Sequence, residues 1–258
     1  MARERRSGGR KGKSGRSSQG ITQLPWQQVK NSHSPMEMLN PGQLDQLHKT
    51  SLRILSEAGI RVMSVKVLDI FEAAGAIIDC DEMLIRIDES IVNAALETVP
   101  SEFTLTSRNP DKQIILGGNN MNFSLVAGPP FVHDMINGRR QGNHADYVNF
   151  IKLAHHFNAI TMLGNQVMAP LELPANSRHL DTYLANLTYS DLSFHCTAIG
   201  RGRAMDGINM MAISRGITVE EMKSSPGLMT IISVNSPRLL DESMSDGLIA
   251  MAEHNQPV

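Results

Sequence analysis

Apolar residues recur at helical spacing in the segment 40–58, whose sequence is NPGQLDQLHKTSLRILSEA. Pro41 occupies a tolerated first-turn position and Gly59 follows as a stop signal, so an amphipathic helix is predicted here. Its apolar stripe comprises Leu44, Leu47, Ile54, Leu55 and Ala58. Two shorter helices are predicted over 64–74 and 88–99.

Short β-like runs separate these helices and continue after them, at 83–87, 102–108, 113–118, 121–126 and 130–135. The dipeptide Asn137-Gly138 is typical of the tight turn in a β-hairpin. A mixture of helices and short strands is typical of an α+β unit. We therefore expect residues 21–142 to form a small α+β region, called the cap below.

The pattern changes at Asn143, which is expected to cap a helix with Asp146 at the capping-box position. Apolar strands are then predicted at 159–167, 193–200 and 227–235, and helices at 176–189, 203–214 and 241–253. Apolar strands separated by helices belong to a parallel sheet that is covered on both faces. Residues 143–258 therefore form a second region of three βα units. Three such units leave an open edge, so we expect the sequence to be a fragment, or its missing half to be supplied elsewhere.

Composition separates the first twenty residues from the rest of the chain. Residues 1–20 carry seven Lys or Arg against one acid, with five Gly and four Ser. The other 238 residues hold 17 basic and 25 acidic side chains, a net charge of −8. The first segment has too little apolar surface to order itself, so a disordered basic tail is predicted. Nucleic-acid binding by this tail is the alternative, disfavoured because no aromatic residues are interleaved.

Neither a membrane span nor a secretion signal is predicted, because no apolar run has the length that either requires. Cys80 and Cys196 are the only cysteines, and they form no CxxC motif. We therefore expect a cytoplasmic protein with two buried, unpaired thiols.

The order of several sequence blocks resembles the trimethylamine methyltransferase family. The blocks are LDQLHKTSLRILSEAGIRV, SEFTLTSRNPDKQIILGG, GPPFVHDMINGRRQGNHADYVNFIKLAHHFNAI, HLDTYLANLTYSD, FHCTAIG and SVNSPRLLDESMSDGLIAMAEHNQPV. The resemblance covers nearly all of residues 1–258, but only the N-terminal half of a family member. It implies an α/β fold in which the N-terminal part of a (β/α)8 TIM barrel follows the cap and the disordered basic tail.

The resemblance also implies an activity. A methyl group would pass from a methylated amine to the Co(I) corrinoid of a separate protein docked on the barrel mouth. One branch of the family uses pyrrolysine and trimethylamine, and the other uses quaternary amines such as glycine betaine; the pyrrolysine position falls outside this sequence. We expect no metal or cofactor on this chain itself, no activity from the chain alone, and leave a homo-oligomer open.

Polar residues at the carboxyl ends of the predicted strands are the candidate substrate-binding residues, because function in a (β/α) barrel lies at that end. They are Asn165, Gln166, His195, Thr197, Asn235 and Ser236. Asn and Gln can donate to a betaine carboxylate or accept from a corrinoid amide. The alternative is that these side chains cap helices or satisfy loop backbone, and that His195 is a hydrogen-bonded core histidine. No catalytic residue is assigned, since Co(I) is itself a strong nucleophile.

Other functions fit the same pattern of elements. A barrel can capture a quaternary amine without turnover, and a truncated remnant has no activity at all. A metal-dependent barrel hydrolase needs carboxylate or histidine ligands at strand ends, and only His195 fits such a position in this sequence. The methyltransferase hypothesis is therefore preferred.

Overall fold

The computed structural model describes residues 21–258, so the predicted basic tail lies outside the described residues. The cap contains the helices α1 (Pro41–Arg53), α2 (Val65–Ala73) and α3 (Glu89–Thr98). Its strands are β1 (Val29–Lys30), β2 (Ile60–Val62), β3 (Ile77–Asp79), β4 (Leu84–Arg86), β5 (Glu102–Leu105), β6 (Ile114–Gly117), β7 (Asn120–Met121), β8 (Phe131–Asp134) and β9 (Gly138–Gln141). The second region contains α4 (His144–His156), α5 (Arg178–Tyr189), α6 (Arg201–Arg215), α7 (Val219–Met222), β10 (Leu239–Leu240) and α8 (Glu242–Glu253).

Side-chain caps fix the starts of several of the predicted helices, including α1 and α4. Asn40 accepts a hydrogen bond from the backbone N–H of Gln43 at 3.0 Å, and the Gln43 side chain returns one to Asn40. Asn143 and Asp146 form the same capping box at the start of α4. Each cap satisfies orphan N–H groups of the first turn. The helix starts predicted from the sequence, with or without such a cap, are confirmed to within two residues.

The apolar stripe predicted for α1 is only partly buried. Leu55 is half-buried, whereas Leu44 and Leu47 are 54% and 56% exposed; the buried residue of the helix is Leu52, which the predicted stripe did not include. The helix continues into a π-helical turn (Ile54–Ala58) and ends at Gly59, which has a φ of 68°. A side chain at Gly59 would meet the carbonyl of Ile85, so the turn requires glycine.

The cap sheet joins both regions of the chain. Its strand order is β10-β2-β4-β3, in which β2, β4 and β3 pair antiparallel and β10 pairs parallel to β2. The strands β2, β3 and β10, each of two or three residues, were not predicted. A small core fills the sheet and its helices: Val62, Val67, Leu68, Ile85, Ile87 and Leu240.

Two antiparallel hairpins complete the cap. β5 pairs with β6, and β8 pairs with β9 through the predicted Asn137-Gly138 turn. The strand predicted at 121–126 is wrong in extent, since only Asn120–Met121 pairs as a strand and Ser124 forms a single bridge to Met162.

The predicted strands 159–167, 193–200 and 227–235 run parallel and in the expected order, but their predicted lengths are wrong. Each neighbouring pair is joined by a single bridge, Leu163 to Phe194 and His195 to Met229. The reason is local competition, because polar side chains take backbone groups that a ladder would use. No closed barrel forms within the described residues 21–258. We call these three stretches the parallel segments.

The helices α4, α5, α6 and α8 bury one side of the parallel segments in the main core. Its largest fully buried side chains include Tyr147, Tyr183, Phe194, Ile208 and Met211. The β5–β6 hairpin covers the N-terminal ends of the segments, since the N–H of Thr106 donates to the carbonyl of Pro226 at 2.7 Å. The opposite, carboxyl ends are therefore the open ends.

The two cysteines differ in their surroundings. Cys196 is buried, as expected, and burial raises the pKa of its thiol to about 12. Cys80 is exposed after β3, so the expectation of a buried thiol there is wrong. Over residues 21–258, no helix is both long and apolar enough to cross a membrane.

Candidate functional site

A cavity of about 240 Å³ lies at the carboxyl ends of the first two parallel segments. Its polar lining consists of Asn165, Gln166, Arg178, His179, Thr197 and Arg203. Small residues from the loop before the first segment, Ala127 and Gly128, complete one wall. A volume of this size suits a small molecule whose orientation is fixed by a few polar groups.

The Asn165 amide has a defined orientation. Its Oδ1 accepts hydrogen bonds from the backbone N–H of Gln166 at 2.7 Å and from Thr197 Oγ1 at 2.9 Å. A backbone N–H can only donate, so the atom facing it must be the amide oxygen. The amide nitrogen of Asn165 is therefore a donor that makes no hydrogen bond to other residues of 21–258.

Thr197 is held in turn by a buried tyrosine. The Tyr183 hydroxyl accepts from the N–H of Thr197 at 2.7 Å and donates to its carbonyl at 3.3 Å. Burial raises the pKa of Tyr183 far above its usual range, so the hydroxyl keeps its proton. The tyrosine consequently satisfies both backbone groups of Thr197 at the point where the segment ends.

Arg178 and Arg203 place two guanidinium groups at the cavity without a carboxylate partner. In the part of the chain described, neither arginine forms an ion pair with Asp or Glu. Arg178 donates to the carbonyl of Leu173 at 2.9 Å, and Arg203 donates to the carbonyl of Ala175 at 3.1 Å. Their remaining donors give the cavity a positive character, which suits an anionic group of a ligand.

His179 lies beside these arginines and is nearly fully buried. Its Nε2 is 2.8 Å from a carboxylate oxygen of Asp206, and its ring packs edge-on against Tyr183. Since the carboxylate accepts, Nε2 carries the hydrogen, and Nδ1 is left without a partner in the described chain. The Nε of Arg178 is likewise buried and unpaired within residues 21–258. Buried polar groups without a partner are uncommon in proteins, and here two of them lie at one cavity.

The structure brings three of the six candidate residues together and places three elsewhere. Asn165, Gln166 and Thr197 line the cavity, but His195 does not. Burial lowers the pKa of His195, which lies within the second segment at its bridge to Met229. Asn235 and Ser236 lie in an exposed turn that leads to β10, where the Asn235 side chain donates to Asp241 at 3.0 Å.

The sequence patterns missed the charged part of the cavity. Arg178, His179 and Arg203 lie in the first turns of α5 and α6, directly after the loops that follow the parallel segments. Their position at a helix start was a usable signal, because helix N-termini and arginines both attract anions. Their lack of acidic partners becomes visible only from the folded chain.

A larger cavity, of about 880 Å³, lies between the cap sheet and the turn before β10. Three of its four charged residues are already bonded, Arg61 to Glu82 and Arg238 to the carbonyl of Gly59. It offers less convergent chemistry than the smaller cavity.

Comparison with known proteins places this geometry in context. A family model described as trimethylamine methyltransferase (MTTB) matches residues 5–258. The chain is 31% identical to a glycine betaine methyltransferase of Desulfitobacterium hafniense (strain Y51), over 86% of this chain and 46% of that protein. It is 25% identical to a proline betaine:corrinoid methyltransferase of Eubacterium limosum, over 82% and 44%. It is 22% identical to trimethylamine methyltransferase MttB of D. hafniense (strain DSM 10664 / DCB-2), over 82% and 42%. The chain spans less than half the length of these relatives.

Proposed function

The chain belongs to the trimethylamine methyltransferase family, and from this premise we propose that the protein transfers a methyl group from a quaternary amine to a corrinoid protein. The proposed amine carries an anionic group, as a betaine does. The observation that carries this proposal is the pair of unpaired guanidinium groups, Arg178 and Arg203, in a small cavity at the open ends of the parallel segments.

The charge of the cavity favours a betaine over trimethylamine. A betaine presents a carboxylate, which arginine forks bind in two-point geometry, whereas trimethylamine has no anionic group to place there. The Asn165 amide nitrogen adds a neutral donor on the same cavity. Three relatives support the same substrate class, because they are named as methyltransferases of glycine betaine, proline betaine and L-carnitine.

The residues of this chain have a positioning role in the proposed reaction. The corrinoid of the partner protein supplies Co(I), a nucleophile that takes the methyl group, and the C–N electron pair stays on the departing neutral amine. The chain need supply no nucleophile of its own; it must hold the N–CH3 bond in line and keep water out. Arg178, Arg203 and Asn165 would anchor the carboxylate, which leaves the ammonium end free to face the approaching partner.

The cavity fits a partner-borne cofactor in one further respect. Gln166 lines the cavity with a side-chain amide that makes no hydrogen bond within the described residues. Amide groups pair well with the amide side chains of a corrinoid, so Gln166 is the residue that would contact it.

We propose the division of the chain in the same terms. Residues 21–142 would form the cap, and residues 143–258 would form the first three βα units of a (β/α)8 barrel. The parallel direction and order of the three segments support this assignment, as does the N–H of Thr230, which donates at 3.1 Å to the carbonyl of Pro257 where a fourth strand would begin. A reducing cytoplasm would suit the exposed thiol of Cys80.

The test uses the protein at its natural full length. Purified protein is mixed with a Co(I) corrinoid protein and, in turn, with glycine betaine, proline betaine, L-carnitine and trimethylamine. The expected result is a change in corrinoid absorbance, with release of the demethylated amine, for one or more of the betaines. Tight binding of a betaine without any demethylation would instead establish a non-catalytic amine-binding protein. Turnover of trimethylamine alone would contradict the proposed substrate class.

A further inference from the structure

We propose that Thr197 is a positioning residue that sets the polarity of the cavity by locking the Asn165 amide, with Tyr183 holding Thr197 from behind. The inference rests on the proposed function, and it identifies a contribution to the preference of that site for an anionic substrate besides that of the two arginines. Thr197 would act through Asn165 and not through contact with the reacting methyl group.

The first step concerns the side-chain oxygen of Asn165, which accepts two hydrogen bonds. Asn165 Oδ1 accepts from the N–H of Gln166 and from the Thr197 hydroxyl, at 2.7 and 2.9 Å. One donor is the next residue along the chain and the other lies on the second parallel segment, and together they occupy both lone pairs of the oxygen. The NH2 group then has one direction left, and Asn165 lines the cavity. The cavity consequently receives a donor from Asn165 and never its carbonyl oxygen.

The second step is the support of Thr197 itself. Thr197 lies at the end of the second parallel segment, beyond the bridges that join this segment to its neighbours. In place of a neighbouring strand, the Tyr183 hydroxyl bonds both the N–H and the carbonyl of Thr197. Tyr183 is 1% exposed and packs against Phe194 and His179, so its position is fixed by the core. The chain of contacts therefore runs from the core to the cavity wall.

The third step concerns how a fixed orientation of the Asn165 amide affects ligand binding. A flexible asparagine can turn either its oxygen or its nitrogen toward a ligand, and the oxygen would repel a carboxylate. A locked NH2 group removes that alternative and lowers the ordering cost of binding an anion. A ligand with the same quaternary ammonium group but no carboxylate should bind equally well whether or not the Asn165 amide is fixed.

The experiment compares two ligands and three variants of the full-length protein. Glycine betaine and tetramethylammonium share the quaternary nitrogen, but only glycine betaine has a carboxylate. Thr197→Val removes the hydroxyl at nearly constant volume, and Thr197→Ser restores it. Thr230→Val is the matched control, since Thr230 is also buried and donates its hydroxyl to the carbonyl of Cys196 at 2.8 Å, away from the cavity lining.

The expected result is selective for the carboxylate. Thr197→Val should weaken glycine betaine binding about threefold to tenfold by calorimetry, the scale of one neutral hydrogen bond, since the N–H of Gln166 still holds the Asn165 oxygen. It should leave tetramethylammonium within about twofold, raise KM more than it lowers kcat, and be rescued by Thr197→Ser. Thr230→Val should leave the ratio of the two affinities unchanged.

Different results overturn different claims. Equal betaine affinity for Thr197→Val and wild type, or an equal loss for both ligands, overturns the positioning role alone. If the wild-type protein binds neither ligand, the proposed function fails before Thr197 is tested. Asn165→Asp provides a second measurement, because a carboxylate in place of the amide should reverse the preference toward tetramethylammonium.

Discussion

The two ends of the parallel segments differ in whether their charged side chains have partners of opposite charge. At the N-terminal ends, Asp191 accepts from Lys112 at 2.9 Å and from the Asn109 side chain at 3.0 Å. At the carboxyl ends, Arg178 and Arg203 face a cavity without acidic partners in the described chain. Paired charge at one end and unpaired charge at the other is the division expected of α/β barrels, in which one face stabilises and the other binds.

The largest effect should come from removing the unpaired charge. The double variant Arg178→Gln, Arg203→Gln loses two charge-assisted hydrogen-bond partners of the ligand, each worth about 1.5–3 kcal/mol. Glycine betaine affinity, measured by calorimetry on the full-length protein, should fall by at least about 100-fold.

Tetramethylammonium and a remote arginine provide the controls for this double variant. Tetramethylammonium affinity should stay the same or improve, because a positive cavity repels it. Arg53→Gln removes an exposed arginine of α1 that pairs with Glu57 and should change neither affinity. An equal loss of both ligands in the double variant would mean that the cavity has collapsed and does not recognise charge.

Removing a charge at the N-terminal ends of the segments should lower the stability of the protein and leave betaine binding unchanged. Burial raises the pKa of Asp191, but hydrogen bonds from Lys112 and Asn109 lower it more, so the carboxyl group titrates below its usual value. Asp191→Ala leaves the mostly buried ammonium of Lys112 unpaired and should cost about 1–3 kcal/mol of unfolding free energy in urea. Betaine affinity should be unchanged. A binding defect equal to that of the arginine variants would erase the contrast between the two ends.

A substitution in α6 tests how tightly the open end depends on the core. Gly207 packs directly on Cys196 and Tyr183, and an added Cβ would lie 2.9 Å from Cys196 Cβ and 3.4 Å from Tyr183 Cε2. Gly207→Ala should therefore cost about 1–2 kcal/mol through overpacking and weaken betaine binding by displacing Tyr183.

Gly202→Ala is the matched control in the same helix. No atom lies within 4 Å of the position of its added Cβ, so this variant should be neutral or up to about 1 kcal/mol more stable. Equal melting temperatures for the two variants would show that α6 does not transmit strain to the cavity wall.

The two regions also differ in how far the sequence predicted them. Helix starts such as Asn40 and Asn143 follow from local capping chemistry and were confirmed. The parallel order of the segments followed from their apolar pattern. The length of the segments did not follow from this pattern, because the Asn165 side chain competes for a backbone N–H. The pairing of β10 with β2 was also missed, because the two strands are far apart in the sequence and a local pattern cannot predict such a contact.

The candidate site was predictable to a similar, partial extent. The rule that function lies at strand ends selected Asn165, Gln166 and Thr197, which share a cavity. Arg178 and Arg203 were not selected, because arginines at helix starts are common on solvated surfaces. What marks them is the lack of acidic partners in the described chain, and that depends on the packing of loops after both segments.

The smallest predicted effect concerns an exposed paired charge that does not line the cavity. Glu253 of α8 accepts from Lys66 of α2 at 2.9 Å and from Arg201 of α6 at 2.6 Å. Hydrogen bonds from Lys66 and Arg201 lower its pKa from 4.5 to about 2. A lowered folded-state pKa contributes stability above pH 4.5 that is lost as the pH falls toward 2. Glu253→Gln should therefore unfold with a shallower acid dependence between these values, by a modest amount because the pair is exposed and screened by salt. An acid dependence as steep as that of wild type would show that these ion pairs add nothing to stability.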